Sequence, residues 1–127
     1  MNKPLALVVE DDYKQADIFA EALKAAEYEA EIIENGSKAL KRLAEITPTI
    51  VLLDLHLPQL SGKELLDHIR TDERLAKIRV MITTADPILA QNLSGQADLV
   101  LLKPIAFSQL RDLAARLRPP DIMGEID

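Results

Sequence analysis

Five short apolar runs, each followed by a longer amphipathic segment, constrain the fold of this chain more than any other feature. The runs are Leu5–Val9, Ala30–Ile33, Ile50–Leu53, Val80–Thr83 and Leu99–Leu102. Four of them are nearly continuous in Val, Ile and Leu, as strands covered on both faces are. Ala30–Ile33 is weaker, with Glu29, Glu31 and Glu34 around it, and suits the edge of a sheet. Between the runs, apolar residues recur at intervals of three and four. Ala16, Phe19, Ala20, Leu23 and Ala26 mark one face of a helix over Tyr13–Ala26. Ala39, Leu40 and Leu43 mark a second, begun at Gly36-Ser37 and closed by Pro48. Leu65, Leu66 and Ile69 define a third, opened by Ser61-Gly62. Ile88, Leu89 and Leu93 give a short fourth ending near Gly95. Leu110, Leu113, Ala114 and Leu117 give the last, stopped by Pro119-Pro120. A strand-helix unit repeated five times implies a parallel sheet with helices on both faces, and right-handed crossovers restrict its topology sharply. The expected fold is a single α/β domain, flavodoxin-like and doubly wound, with five parallel strands in the order 2-1-3-4-5 and five helices. Residues 1–118 are assigned to this domain and 119–127 to a short C-terminal tail.

Bulk properties agree and exclude several functions. A chain of 127 residues suits one domain, and a domain of this size buries roughly two-thirds of its unfolded surface. It therefore needs no covalent staples, and it has no cysteine for disulfides or thiolate metal sites. A cytoplasmic location is the natural expectation. The formal net charge of −6 argues against direct nucleic-acid binding, which rewards clustered Lys and Arg. The first apolar run is too short for a signal sequence or a membrane span. With 3% aromatic residues and no Trp, neither a base-stacking surface nor a carbohydrate platform is suggested.

Chemistry in an open parallel sheet gathers at the carboxyl ends of its strands. There the first run ends in Glu10-Asp11-Asp12, the third in Asp54, the fourth in Thr83-Thr84 and the fifth in Lys103-Pro104. Folded as expected, the chain brings three or four carboxylates against a hydroxyl and an ammonium. Carboxylates packed together repel one another, and a hard cation such as Mg²⁺ relieves the repulsion. Asp54 follows the most hydrophobic run and is the best candidate nucleophile, since a carboxylate can accept a phosphoryl group as an aspartyl phosphate. The three phosphoryl oxygens would then be shared among the metal, Thr84 and Lys103.

These residues resemble the response-regulator receiver domain over about Pro4–Leu117. The matching pieces are Leu7-Val8-Val9-Glu10-Asp11-Asp12, Val51 through Pro58, Ser61-Gly62, Ile82-Thr83-Thr84-Ala85 and Lys103-Pro104. No piece is specific alone, but their joint order at strand ends is. The resemblance implies that Glu10 and Asp11 bind Mg²⁺ and that Asp54 is both phosphoacceptor and metal ligand. It implies that the backbone carbonyl of His56 completes the metal shell, and it leaves Asp12 to start the following helix. Thr84, thirty residues after Asp54 and before the small Ala85, falls on the switch hydroxyl, and Lys103 falls on the family's lysine. A cis bond before Pro104 is also implied. The implied function is a phosphorylation-controlled switch rather than a turnover enzyme. Such a protein catalyses only its own phosphotransfer and dephosphorylation. A sensor histidine kinase or histidine phosphotransfer protein would phosphorylate it, an unidentified protein would be its downstream partner, and it would be a monomer or weak homodimer.

Two departures from the family stand out. Val100 occupies the position of the switch aromatic, three residues before Lys103, so no ring is available there to follow Thr84. Lys103 lies only nineteen positions after Thr84, about one helical turn fewer than usual, and Pro87 is acceptable only at the start of the fourth helix. These departures motivate an alternative: a receiver-fold interaction module that does not signal by phosphate. A Mg²⁺-dependent phosphatase with an aspartyl nucleophile is a third reading, opposed by His56 where such enzymes carry a second acid. The His56 side chain is expected to be an exposed loop group. A sharper reading has it flank the phosphoryl entrance together with Asp86. His68 is assigned to the surface, and Phe107 is expected to be the first core residue of the last helix.

Overall fold

Strands that are apolar on both faces fold where helices can cover both, and the chain builds five parallel strands that way. The structure is a computed structural model that describes residues 3–93 and 95–120. The strands are β1 (Leu5–Val9), β2 (Glu29–Ile33), β3 (Ile50–Asp54), β4 (Arg79–Thr84) and β5 (Leu99–Leu102). They alternate with α1 (Tyr13–Ala25), α2 (Gly36–Glu45), α3 (Gly62–Thr71), α4 (Pro87–Leu93) and α5 (Phe107–Leu117). The sheet order is β2-β1-β3-β4-β5, all parallel, as expected from the sequence. The acid-flanked run β2 is an edge strand, and β3, buried at all five positions, lies at the centre.

Strand alternation divides the core in two. Leu7, Val9, Val51, Leu53, Val80 and Ile82 face Leu43, Leu65, Leu66 and Ile69 of α2 and α3. Ala6, Val8, Ile50, Leu52 and Met81 face Ala16, Phe19, Ala20 and Leu23 of α1, with Leu110 and Ala114 of α5. Each fully buried Leu or Phe contributes about 2 kcal/mol, so these two layers supply most of the stabilisation.

Local chemistry sets the helix ends. Asp12 caps α1 by accepting from the amides of Lys14 and Gln15, and Asn35 caps α2 by accepting from Lys38. Ser61 and Glu64 form a reciprocal capping box at α3. At the end of α1 the Glu27 amide donates to Lys24 O and the Tyr28 amide to Leu23 O, with Glu27 at a φ of 70°. This left-handed turn drops Tyr28 into the core, where its hydroxyl donates to Ala114 O at 2.9 Å near the end of α5.

Some sequence expectations need correction. β3 continues through Asp54, and β4 runs one residue further at each end than its apolar core, because ladder hydrogen bonds extend beyond the apolar residues. Ile88 is 69% exposed and Phe107 is 41% exposed, so neither is a core residue. Both stand in the first turn of a peripheral helix whose later residues, Leu93 and Leu110, make the buried contact. Residues 121–127 of the assigned tail lie outside the described residues.

Candidate functional site

The ends of β1, β3 and β5 converge on one cluster. Glu10 follows β1, with its amide held by Ile33 O of the edge strand. Glu10 is 2% exposed, and Asp54, the last residue of β3, is nearly as buried at 4%. Asp11 is exposed beside them. Ligand oxygens of Glu10, Asp11 and Asp54 all lie within 4.8 Å of one another. Lys103, just past β5, reaches back with its Nζ 3.2 Å from Glu10 Oε1 and 3.4 Å from Asp54 Oδ2. Two amides fix the carboxylates further: that of Asp12 donates to Glu10 Oε2 and that of His56 to Asp54 Oδ1 at 3.1 Å. The Lys103–Pro104 peptide is cis.

One ammonium does not balance three carboxylates. Burial, then a hydrogen bond and the charge of Asp54, push the Glu10 carboxyl up from 4.5 to about 7, against the Asp12 amide and Lys103. Glu10 therefore lies in a site with too little positive charge for it to ionise easily. All the donors are hard oxygens, two of them held rigid by burial and backbone amides. This set fits Mg²⁺, which takes one or two carboxylates and keeps its remaining positions for water or phosphoryl oxygen.

Thr84 ends β4 with no exposed surface. Its Oγ1 accepts from the Asp86 amide at 3.0 Å and lies 3.4 Å from His56 Nε2. The His56 residue is exposed, as expected, yet its ring is within reach of the Thr84 hydroxyl. Asp86 also caps α4, because its Oδ1 accepts from the amides of Ile88 at 2.9 Å and Leu89 at 3.3 Å. The sequence signal for this cap was an Asp directly before Pro87, a residue pair suited to a helix start. Thr83 pairs in register with Asp54, but its buried Oγ1 has no partner among the described residues. Val100 is half-buried and packs against the α2–α3 side of the core. His68 is exposed on α3.

The loop between β3 and α3 is packed tightly beneath the cluster. Gly62 donates its amide to Leu55 O, and a Cβ at this position would collide with the Asp54 carbonyl oxygen and Leu55 Cα. Glycine is required there by close backbone approach, not by an unusual φ.

Fold and acidic cluster together define an α/β module with a cation-suited site at its strand ends, and comparison with known proteins fixes the family. Residues 6–115 match the family model described as the response regulator receiver domain. The chain belongs to that family, the receiver domains of two-component response regulators. It is 30% identical over 112 residues to the DNA-binding response regulator MtrA of Mycolicibacterium smegmatis, covering 88% of this chain and 48% of that protein. It is 28% identical over 127 residues to the sensor histidine kinase TmoS of Ectopseudomonas mendocina, covering 98% of this chain and 13% of that protein. The chain thus spans less than half the length of these relatives. Among solved structures, a receiver domain of a signal transduction histidine kinase from Syntrophus aciditrophicus matches with a TM-score of 0.80 at 27% identity, covering 90% of this chain and 89% of that one. A CheY-like receiver domain from Methylobacillus flagellatus shares the fold with a TM-score of 0.81 at 24% identity, covering 92% of this chain and all of that one.

Proposed function

We propose that this chain is a phosphorylation switch whose phosphoacceptor is Asp54. The observation that carries the reading is a nearly buried Asp54 carboxylate held between Lys103 and the metal-suited acids Glu10 and Asp11. The donor is a phosphohistidine on a sensor histidine kinase or phosphotransfer protein. An Asp54 oxygen attacks phosphorus, the P–N bond breaks, and its electron pair leaves with the imidazole, which takes up a proton. Glu10, Asp11, Asp54 and the His56 carbonyl would hold Mg²⁺, which when bound would supply positive charge against the phosphoryl oxygens. Lys103 pairs with a second phosphoryl oxygen and Thr84 donates its hydroxyl to a third. The protein works in the cytoplasm, as a monomer or weak homodimer, and its output is altered binding of a partner protein. Among the described residues no helix is long and apolar enough to cross a membrane.

Transmission does not need the missing ring. When the Thr84 hydroxyl turns towards the phosphoryl group, the Asp86 amide loses its acceptor. Asp86 also caps α4, so the disturbance reaches the helix start, beside the exposed Ile88. This route suits a short α4 and a valine at position 100.

Incubation with Mg²⁺ and a small acyl phosphate, followed by intact-mass measurement, tests the reading. A labile single-phosphoryl adduct is expected in the native chain and none in Asp54→Asn. No adduct would favour the interaction-module reading instead, which the short α4 and Val100 motivate. Rapid multiple turnover of phosphoesters would favour a phosphatase.

A further inference from the structure

At the end of the sheet opposite Asp54, the chain entering β3, the chain entering β4 and the end of α5 enclose a cleft of about 530 Å³. Five of its lining residues are cations: Arg74, Lys77, Arg79, Arg116 and Arg118. None is acidic, in a chain whose net charge is −6.

Among the described residues, little of that positive charge is neutralised. Among the described residues, Arg74 donates only to uncharged acceptors, namely Ile46 O at 2.9 Å, Thr47 Oγ1 at 2.6 Å and Leu43 O. Arg79 pairs with Asp98 at 3.0 Å, but Arg70 draws on the same carboxylate at 3.1 Å. Among the described residues, Lys77, Arg116 and Arg118 enter no ion pair within 4.0 Å. Asp112, one turn before Arg116, is exposed and already held by Arg111 at 2.9 Å. The Nε of Arg118 is buried and, among the described residues, has no hydrogen-bond partner. A buried guanidinium N–H without an acceptor costs free energy, as does crowding like charges, and an anion in the cleft relieves the crowding. Planar guanidinium forks match phosphate oxygens in geometry as well as charge.

Apart from Thr47 and Thr49, the rest of the lining is apolar. Pro48, Leu117, Pro119 and Pro120 give the cleft a rigid apolar wall beside the cations. Its volume is that of a small-molecule site rather than a groove for a duplex. Phosphate-binding cations beside a flat apolar surface suit a nucleotide, with its phosphates on one side and its base on the other.

We propose that this cleft binds a nucleoside diphosphate or triphosphate, separately from the acidic cluster. β3 alone sets the two sites about 13 Å or more apart, from Ile50 to Asp54. Binding here stands independently of the reading of Asp54.

The test uses the full chain, as native protein and as Asp54→Asn, in EDTA so that no metal bridges phosphate to the acids. ATP, ADP, pyrophosphate and adenosine are titrated while amide resonances are followed. Saturable one-to-one binding of ATP and ADP is expected at or below about 1 mM, alike in both proteins, with shifts centred on Thr47, Thr49, Lys77 and Arg118. Lys77→Gln and Arg116→Gln, both at exposed positions and checked for unchanged thermal unfolding, should each weaken ATP binding roughly tenfold. Four results overturn the proposal: no saturation, adenosine binding as tightly as ATP, affinity unaffected by either variant, or loss of binding in Asp54→Asn. Tighter binding of a short DNA duplex than of ATP would also overturn it and assign the cleft to a macromolecular polyanion.

Discussion

Replacing Glu10 by Gln should stabilise the metal-free protein at and above neutral pH, although it removes an acid from the centre of the site. Glu10 is 2% exposed, and burial with the adjacent Asp54 carboxylate raises its pKa from 4.5 to about 7. A raised acid pKa means that the folded state holds the proton more tightly than the unfolded chain. Below 4.5 both states are protonated and nothing is lost. As pH rises towards 7 the unfolded chain ionises freely while the folded one resists, so stability falls, by about 3 kcal/mol once both are ionised. Gln never ionises. It can still accept from the Asp12 amide now 3.2 Å from Oε2, but it gives up the 3.2 Å pair with Lys103. Lys103 keeps Asp54, so a net gain of about 1–2 kcal/mol should remain. Urea unfolding of both proteins in EDTA, from about pH 5 to about pH 8, measures it. The difference between them isolates Glu10 from other titrating groups, and it should grow in favour of the variant as pH rises. A variant that is less stable at pH 8, or a difference that does not change with pH, would refute the electrostatic account. Adding Mg²⁺ should narrow or reverse the gap, since a bound cation favours the ionised Glu10.

Asp86→Ala should cost about 1 kcal/mol by uncapping α4 and speed hydrogen exchange at the Ile88 and Leu89 amides, while Asp54 still forms its adduct. Unchanged exchange there would contradict the coupling from Thr84 to α4. Tyr28→Phe should cost about 1–2 kcal/mol in a denaturant titration, because it strips the donor from Ala114 O inside the core. Gly62→Ala should cost about 2 kcal/mol and slow adduct formation, since its Cβ collides with the Asp54 carbonyl. A Tm equal to the native value would argue that the loop can give way. Glu27→Gly should raise stability by about 0.5 kcal/mol, because Glu27 holds a φ of 70° and its contact with Lys3 is exposed.

The acidic ends of the apolar runs made the reacting cluster readable in advance, because strand ends in a parallel sheet share one edge. Glu10, Asp11, Asp54 and Lys103 do meet there. Their roles towards phosphate are chemistry for experiment. The same reading put Ile88 and Phe107 inside, because periodicity marks an apolar position without saying how much of the helix the neighbouring layer covers. The sequence offered Asp86 only as a neighbour of the entrance. Its link between Thr84 and α4 depends on hydrogen bonds that form once the loop is closed.

What the sequence by itself determined is therefore local and periodic: five strands, five helices, the helix starts at Asp12 and Ser61, and the weak second run that suits the edge of the sheet. These follow from residue type and spacing, which act over a few residues. Tertiary structure alone decided what depends on distance between remote segments. The shifted Glu10 carboxyl needs Asp54 and the burial of both. The cationic cleft gathers residues 47–49, 74, 77–79 and 116–120, three stretches far apart in the chain. Electrostatic and desolvation effects are set by separation in space, and only the closed sheet fixes that separation.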